Sequence, residues 1–320
     1  MNKKNKMLIT NKRAYSLLEL SIVILIISIL ITGAMTMSVG TINNAKNDTT
    51  IDRINQVYQA IGNYLLSNKR LPCPASLKKN KNTDSDYGVE VANCSGIGLY
   101  QSNTNSNLVY GAVPSKSLGL ANDMAEDAYE SKLIYLIDKR FAIASQTVLN
   151  IANTTFSTAS NTGIITINEK PSGVVQTATN DAILVIISLG ANKSSAFNST
   201  ANIQNTRSTD ADEMENDISS IFDSNPSTAN FNNIIIANAE NSENFDDLVF
   251  YKTRNQMVVD FNAMFLIPCV NAGVNFSIQN AYYGNLVYAT TSCATPNEDK
   301  RLTKKCEAFG NWVDIVANCP

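Results

Sequence analysis

The chain has no histidine and only one tryptophan in 320 residues. Without histidine, Ser-His-Asp and Cys-His catalysis are excluded in their usual forms. Most zinc enzyme sites and the commonest general base go with them, so an enzymatic function is not expected. A phosphate loop is missing as well, because Asn192-Lys193-Ser194 lacks the Gly that must precede the Lys. No Cys-x-x-Cys pair occurs among the six cysteines, which disfavours a structural metal or redox motif. Basic charge is also scarce outside the first fourteen residues. Those hold Lys3, Lys4, Lys6, Lys12 and Arg13, five of the 25 basic residues, and none of the 28 acidic ones. A chain starting at Tyr15 carries 20 basic against 28 acidic residues, a net charge of −8. Nucleic-acid surfaces need clustered Lys and Arg, so no nucleic-acid partner is expected.

What is present begins at Ala14-Tyr15-Ser16-Leu17-Leu18-Glu19-Leu20, followed by the apolar run Leu20 to Ile31. Glu19 is the one charge in that stretch. A charge inside bilayer hydrocarbon costs at least ~2.5 kcal/mol, so Glu19 needs a partner. The basic leader before it stays cytoplasmic and places the bulk of the chain beyond the inner membrane. An ordinary secretory signal accounts for the leader but not for a Glu between the basic region and the apolar core.

Residues 14–20 resemble the processing motif of the type IV pilin and type II secretion pseudopilin superfamily. Ala14 stands for the usual Gly and Tyr15 for the usual Phe. The resemblance implies cleavage between Ala14 and Tyr15 by a prepilin peptidase, with N-methylation of Tyr15. It also implies assembly through Glu19, which pairs with the free α-amine of a neighbouring subunit. The partners implied are the peptidase, other pilin or pseudopilin subunits, and inner-membrane lipid before assembly. The expected location is a single pass in the inner membrane with the bulk periplasmic, then a periplasmic pseudopilus or a surface pilus.

The apolar run reaches a membrane span of ~20 residues only with Gly33, Ala34, Met35 and Met37 added. Beyond it, Ile51, Ile54, Val57, Ile61 and Leu65 recur at spacings of three and four, the stripe of an amphipathic helix. Pro72 ends that helix. About 55 residues at ~1.5 Å each make a stalk of roughly 80 Å. Strand-like runs occupy 163–167, 182–188, 233–237, 247–251 and 256–261, rich in Ile and Val and bounded by Asn, Gly and Ser. The Asn-, Ser- and Thr-rich stretch from Ser194 to Asn241 reads as solvated loop.

Three further blocks resemble major pseudopilins. Asp127, Tyr129 and Tyr135 fit an Asp- and aromatic-bearing block, with Glu130 where Gly is expected and Leu133 where an aromatic is expected. Ser188-Leu189-Gly190-Ala191-Asn192 is similar to a Ser-x-Gly-x-Asp segment, and Asp246-Asp247 to a paired-Asp strand start. In that family this region can hold calcium, which makes Asp246 and Asp247 the expected metal ligands and calcium the one cofactor considered. Carboxylate oxygens suit Ca²⁺. About fifty residues separate the two blocks, far more than an ordinary loop.

An even cysteine count beyond the membrane favours disulfides. Cys73 with Cys94 closes one loop. Cys269, Cys293, Cys306 and Cys319 allow three pairings, of which Cys269–Cys293 with Cys306–Cys319 is the simplest. The expected fold class is α+β: a long N-terminal helix, half in the membrane and half amphipathic, on an antiparallel pilin-like sheet, with a small disulfide-rich C-terminal module. The expected segments are a leader at 1–14, the assembly helix at 15–70, the globular domain at 71–261 and the Cys-rich module at 262–320. Two functions fit: a filament subunit, minor pilin or pseudopilin, or a membrane-anchored extracytoplasmic binding or adhesion protein that does not assemble. Glu19 separates them, because a simple anchor gains nothing from it.

Overall fold

The computed structural model describes residues 16–102, 105–143, 163–200, 203–217, 228–229, 233–239, 245–262, 269, 276, 281, 286–289, 303–306 and 311–316. The chain divides into two compact units, Met1–Lys46 and Asn47–Pro320. Helix α1 is Leu17–Asn68. In the first unit its side chains from Leu17 to Ile29 are all exposed, Leu17 at 88%. Among the described residues no helix is long and apolar enough to cross a membrane. This corrects the expected membrane half.

From Asn47 onward α1 belongs to the second unit, and there the expected stripe meets a core. Val57 and Ile61 are 0% exposed, and Ile54 and Leu65 are buried with them. Ile51, expected on the same stripe, is 45% exposed. It lies one turn before the first buried member and on the edge of the packed face. Polar contacts fasten the same segment. Arg53 donates to the carbonyls of Glu126 and Asp127 at 3.1 and 2.9 Å. The Tyr58 hydroxyl donates to Asp260 at 2.6 Å. After Asn68 the chain turns out of the helix at Lys69, whose φ is +60°. The turn is locked by Glu90, which accepts from Tyr64 Oη, from both Nη atoms of Arg70 and from the backbone N–H of Cys73.

The large sheet is built from β1 (Tyr100–Ser102), β2 (Leu108–Ala112), β3 (Ile134–Asp138), β4 (Ile165–Lys170), β5 (Gln176–Ser188), β6 (Thr228–Ala229), β7 (Ile234–Ala239) and β8 (Leu248–Thr253). Its order is β6-β1-β2-β3-β5-β4-β7, with β8 also on β5. Strand β3 is buried along its whole length and alternates between two cores. Tyr135 and Ile137 join the cluster with Val57 and Ile61, while Ile134 and Leu136 join Tyr110, Val185 and Phe197 on the other face. Strand side chains alternate with period two, so a run buried at every position means cover on both faces.

The sheet is mixed. β1–β2, β2–β3, β3–β5, β4–β5 and β5–β8 are antiparallel, but β4–β7 and β1–β6 are parallel. The expected purely antiparallel sheet is therefore wrong. The long excursion between β5 and β7 allows a crossover, so β7 joins β4 pointing the same way. A second correction concerns 256–261. Arg254–Asp260 is a helix, α3, opened by a capping box in which Thr253 Oγ1 accepts from Gln256 N and Gln256 Oε1 accepts from Thr253 N. Those reciprocal bonds satisfy N–H groups at the helix start and outweigh the strand-like composition.

The expected Cys73–Cys94 disulfide is present. In the C-terminal part, β9 (Leu286–Tyr288), β10 (Thr303–Cys306) and β11 (Trp312–Val316) form a three-stranded antiparallel sheet in the order β11-β10-β9. Its inner side holds Val287 and Cys306 against Phe276, with Trp312 partly buried beside them. Here Cys269 bonds to Cys306, not to Cys293. The simplest pairing fails because β10 turns Cys306 inward onto Cys269, and position in the sheet outweighs separation along the chain. Cys293 and Cys319 lie outside the described residues.

Candidate metal centre

The residues between β5 and β8 are not the featureless solvated loop that their composition suggests. Phe197 is buried, and Ala211–Glu215 forms a short helix, α2, capped by Asp210, whose carboxylate accepts from Asp212 N and Glu213 N. α2 turns Glu213 inward. The start of β8 brings in Asp246 and Asp247, and one carboxylate oxygen from each of the three lies within 4.8 Å of the others. Glu213 is 3% exposed and Asp247 7%, while Asp246 is half-buried.

The resembling segment 188–192 completes the arrangement. Asn192 donates its backbone N–H to Asp246 Oδ2 at 2.8 Å and its side-chain amide to Glu213 Oε1 at 2.5 Å. Asn216 does the same for the third carboxylate, donating to Asp247 Oδ2 at 2.8 Å. It also exchanges two hydrogen bonds with the Ile236 backbone in β7. Gly190 has a φ of +62°, and a Cβ there would collide with Asp246 Oδ1. The Gly in that segment is therefore required twice, by conformation and by space.

Two cations of the same region are used elsewhere. Lys170 pairs with Asp212, and Arg207 with Asp217 at 2.9 Å. Among the described residues no Lys or Arg pairs with Glu213, Asp246 or Asp247. Two oxygens, Glu213 Oε2 and Asp246 Oδ1, are buried with no hydrogen-bond partner. Burial pushes the Asp247 carboxyl well above its usual range. The neighbouring Glu213, Asp246 and Asp217 push the same way, against the Asn216 hydrogen bond. Asp246 is raised too, first by burial and then by Glu213, with the Asn192 N–H opposing. Carboxylates drawn together, dehydrated and left with orphan oxygens fit a hard divalent cation. The donor set is oxygen only and the chain lacks histidine, which favours Ca²⁺ or Mg²⁺ over zinc or copper. Such a centre would crosslink the loops that carry its ligands.

Sequence reasoning singled out Asp246 and Asp247 and missed Glu213. The acidic run Asp210, Asp212, Glu213, Glu215, Asp217 was the available signal, but only α2 decides which member turns inward.

The other singled-out residues have separate places. Ala14 and Tyr15 lie outside the described residues. Glu19 is exposed at the start of α1. Asp127 is buried and organises a turn, accepting from Tyr129 N, Ser131 N and Ser188 Oγ. Glu130, standing where Gly was expected, has a φ of +68°, so the turn keeps its left-handed geometry at some strain. Tyr135 is fully buried and donates to the Pro72 carbonyl at 3.3 Å, and Leu133 sits in the core where the resemblance calls for an aromatic. No family model, no curated protein and no solved structure matches this chain.

Proposed function

We propose that the chain is a pilin-like structural subunit, a minor pilin or pseudopilin, cut between Ala14 and Tyr15 by a prepilin peptidase. It then assembles with copies or relatives into a type IV pilus or a type II secretion pseudopilus. The observation that carries this reading is the bare start of α1. Every large apolar side chain from Leu17 to Ile29 is exposed around a single carboxylate, Glu19. An apolar surface of that extent marks an interaction site. Copies of the same helix would cover it, and a neighbour's α-amine would neutralise Glu19. Two disulfides suit an oxidising compartment, which supports a periplasmic location for the second unit. A calcium ion at Glu213, Asp246 and Asp247 would brace that unit.

The test is intact mass of the native protein together with a Glu19→Ala variant. A chain starting at Tyr15 and a variant that is cut but absent from sheared filaments support the reading. An uncut chain, or a variant that incorporates like wild type, overturns it. A second reading, a binding protein that does not assemble, is favoured by one observation: Glu19 already has a partner in its own chain. It predicts no assembly defect in the variant.

A further inference from the structure

Helix α1 opens on a reciprocal pair. Ser16 donates its backbone N–H to Glu19 Oε2 at 3.0 Å, and Leu18 donates its backbone N–H to Ser16 Oγ at 3.3 Å. A helix start leaves four N–H groups without partners. A Ser followed three residues later by a Glu satisfies two of them, one from each direction. Sequence reading gave Glu19 one purpose, an intermolecular one. The structure gives it a second that uses only one of its two oxygens. A carboxylate accepts on both, and Oε1 has no hydrogen bond among the described residues. Glu is a long side chain, and holding it in one rotamer costs entropy. The Ser16 contact meets that cost before any neighbour arrives.

We infer that the Ser16 N–H is a positioning contact, holding Glu19 by Oε2 along the helix start and presenting Oε1 to an incoming α-amine. One carboxylate then caps its own helix and pairs with the next subunit. The inference rests on the assembly reading of Glu19 and adds a geometric requirement to it: charge at position 19 is not enough, and the side chain must also reach back three residues.

Two substitutions separate these demands. Glu19→Gln keeps the reach and the cap but removes the charge. Glu19→Asp keeps the charge but is one methylene short. The measurements are amide exchange at Ser16 in the purified full-length chain and subunit-to-subunit crosslinking in sheared filaments. Wild type and Glu19→Gln should protect Ser16 alike, while Glu19→Asp exchanges about fivefold faster, the size of one lost cap. Crosslinking should be absent in Glu19→Gln and several-fold below wild type in Glu19→Asp. Wild-type crosslinking by Glu19→Asp overturns the positioning role, as does equal exchange at Ser16 in both variants. If wild type itself never crosslinks while Ser16 stays protected, the assembly reading fails and takes the positioning role with it. The wild-type control tells that result from the other two.

Discussion

Leu17–Ile29 and Ile54–Leu65 belong to one helix and meet opposite fates. The first segment is apolar on nearly all sides, and its side chains are exposed throughout. The second is apolar on one stripe only, and that stripe is buried against β3 and β5. Hydrophobicity alone therefore does not say where a side chain ends up. A stripe matches one neighbouring surface and can be satisfied within the chain. An apolar cylinder needs neighbours all round, more than a single sheet face can supply. The more hydrophobic segment is thus the exposed one, and the less hydrophobic segment is the one that packs into the core of its unit.

The largest expected effect breaks the buried half. Ile61→Ala should cost about 4 kcal/mol in denaturant unfolding, because a fully enclosed side chain leaves a cavity. Ile24→Ala on the exposed half should change stability by less than about 0.5 kcal/mol. Equal costs at the two positions would abolish the contrast.

Next comes the covalent brace at the end of the buried half. Replacing both Cys73 and Cys94 by Ser should cost about 3 kcal/mol of thermal stability. Peptide mapping of the native protein should recover Cys73–Cys94 and Cys269–Cys306 as linked pairs. A Cys269–Cys293 link would contradict the packing of β10.

The cation site gives a somewhat smaller effect with a defined sign. Asp246 and Asp247 have raised folded pKa values, so the folded chain holds protons that the unfolded chain releases near pH 4. Their contribution to stability is therefore greatest in acid and is lost as pH rises from about 4 through the folded values. Calcium at a hundredfold excess over its dissociation constant should restore about 2.7 kcal/mol at neutral pH. Glu213→Gln should weaken that rescue. Melting should shift in the second unit while exchange in Leu17–Ile29 stays unchanged. A calcium effect confined to the exposed helix, or none at all, would remove the metal centre.

The smallest effect lies at α3. Thr253→Ala removes one side of its capping box and should cost about 1 kcal/mol by the same unfolding assay. A cost near zero would mean that the packing of Met257 and Val258, not the cap, holds α3 in place.

Local patterns were legible without coordinates. Spacings of three and four marked Ile54, Val57, Ile61 and Leu65, and runs rich in Ile and Val marked part of each of β4, β5, β7 and β8. Ser16 and Glu19 sit at capping-box spacing, although only the charge of Glu19 drew notice. Cys73 and Cys94 were paired correctly because they stand alone in the first half of the chain. These features are local, set by helix period, strand period and turn chemistry within a few residues.

What the tertiary structure decided involves residues far apart in the chain. The parallel pairing of β7 with β4 depends on how a long excursion returns, and no short window encodes that path. The Cys269–Cys306 bond follows from which face of β10 looks inward. Glu213 becomes a candidate ligand because α2 turns it onto Asp246 and Asp247, more than thirty positions away, in a stretch whose composition reads as loop. Local sequence set the buried stripe of α1, parts of four strands and where charge is scarce, but it read 256–261 as a strand where α3 forms and left α2 inside a loop. Only the fold decided which of those charges meet, because carboxylates repel one another and come together where the surrounding packing and hydrogen bonds hold them.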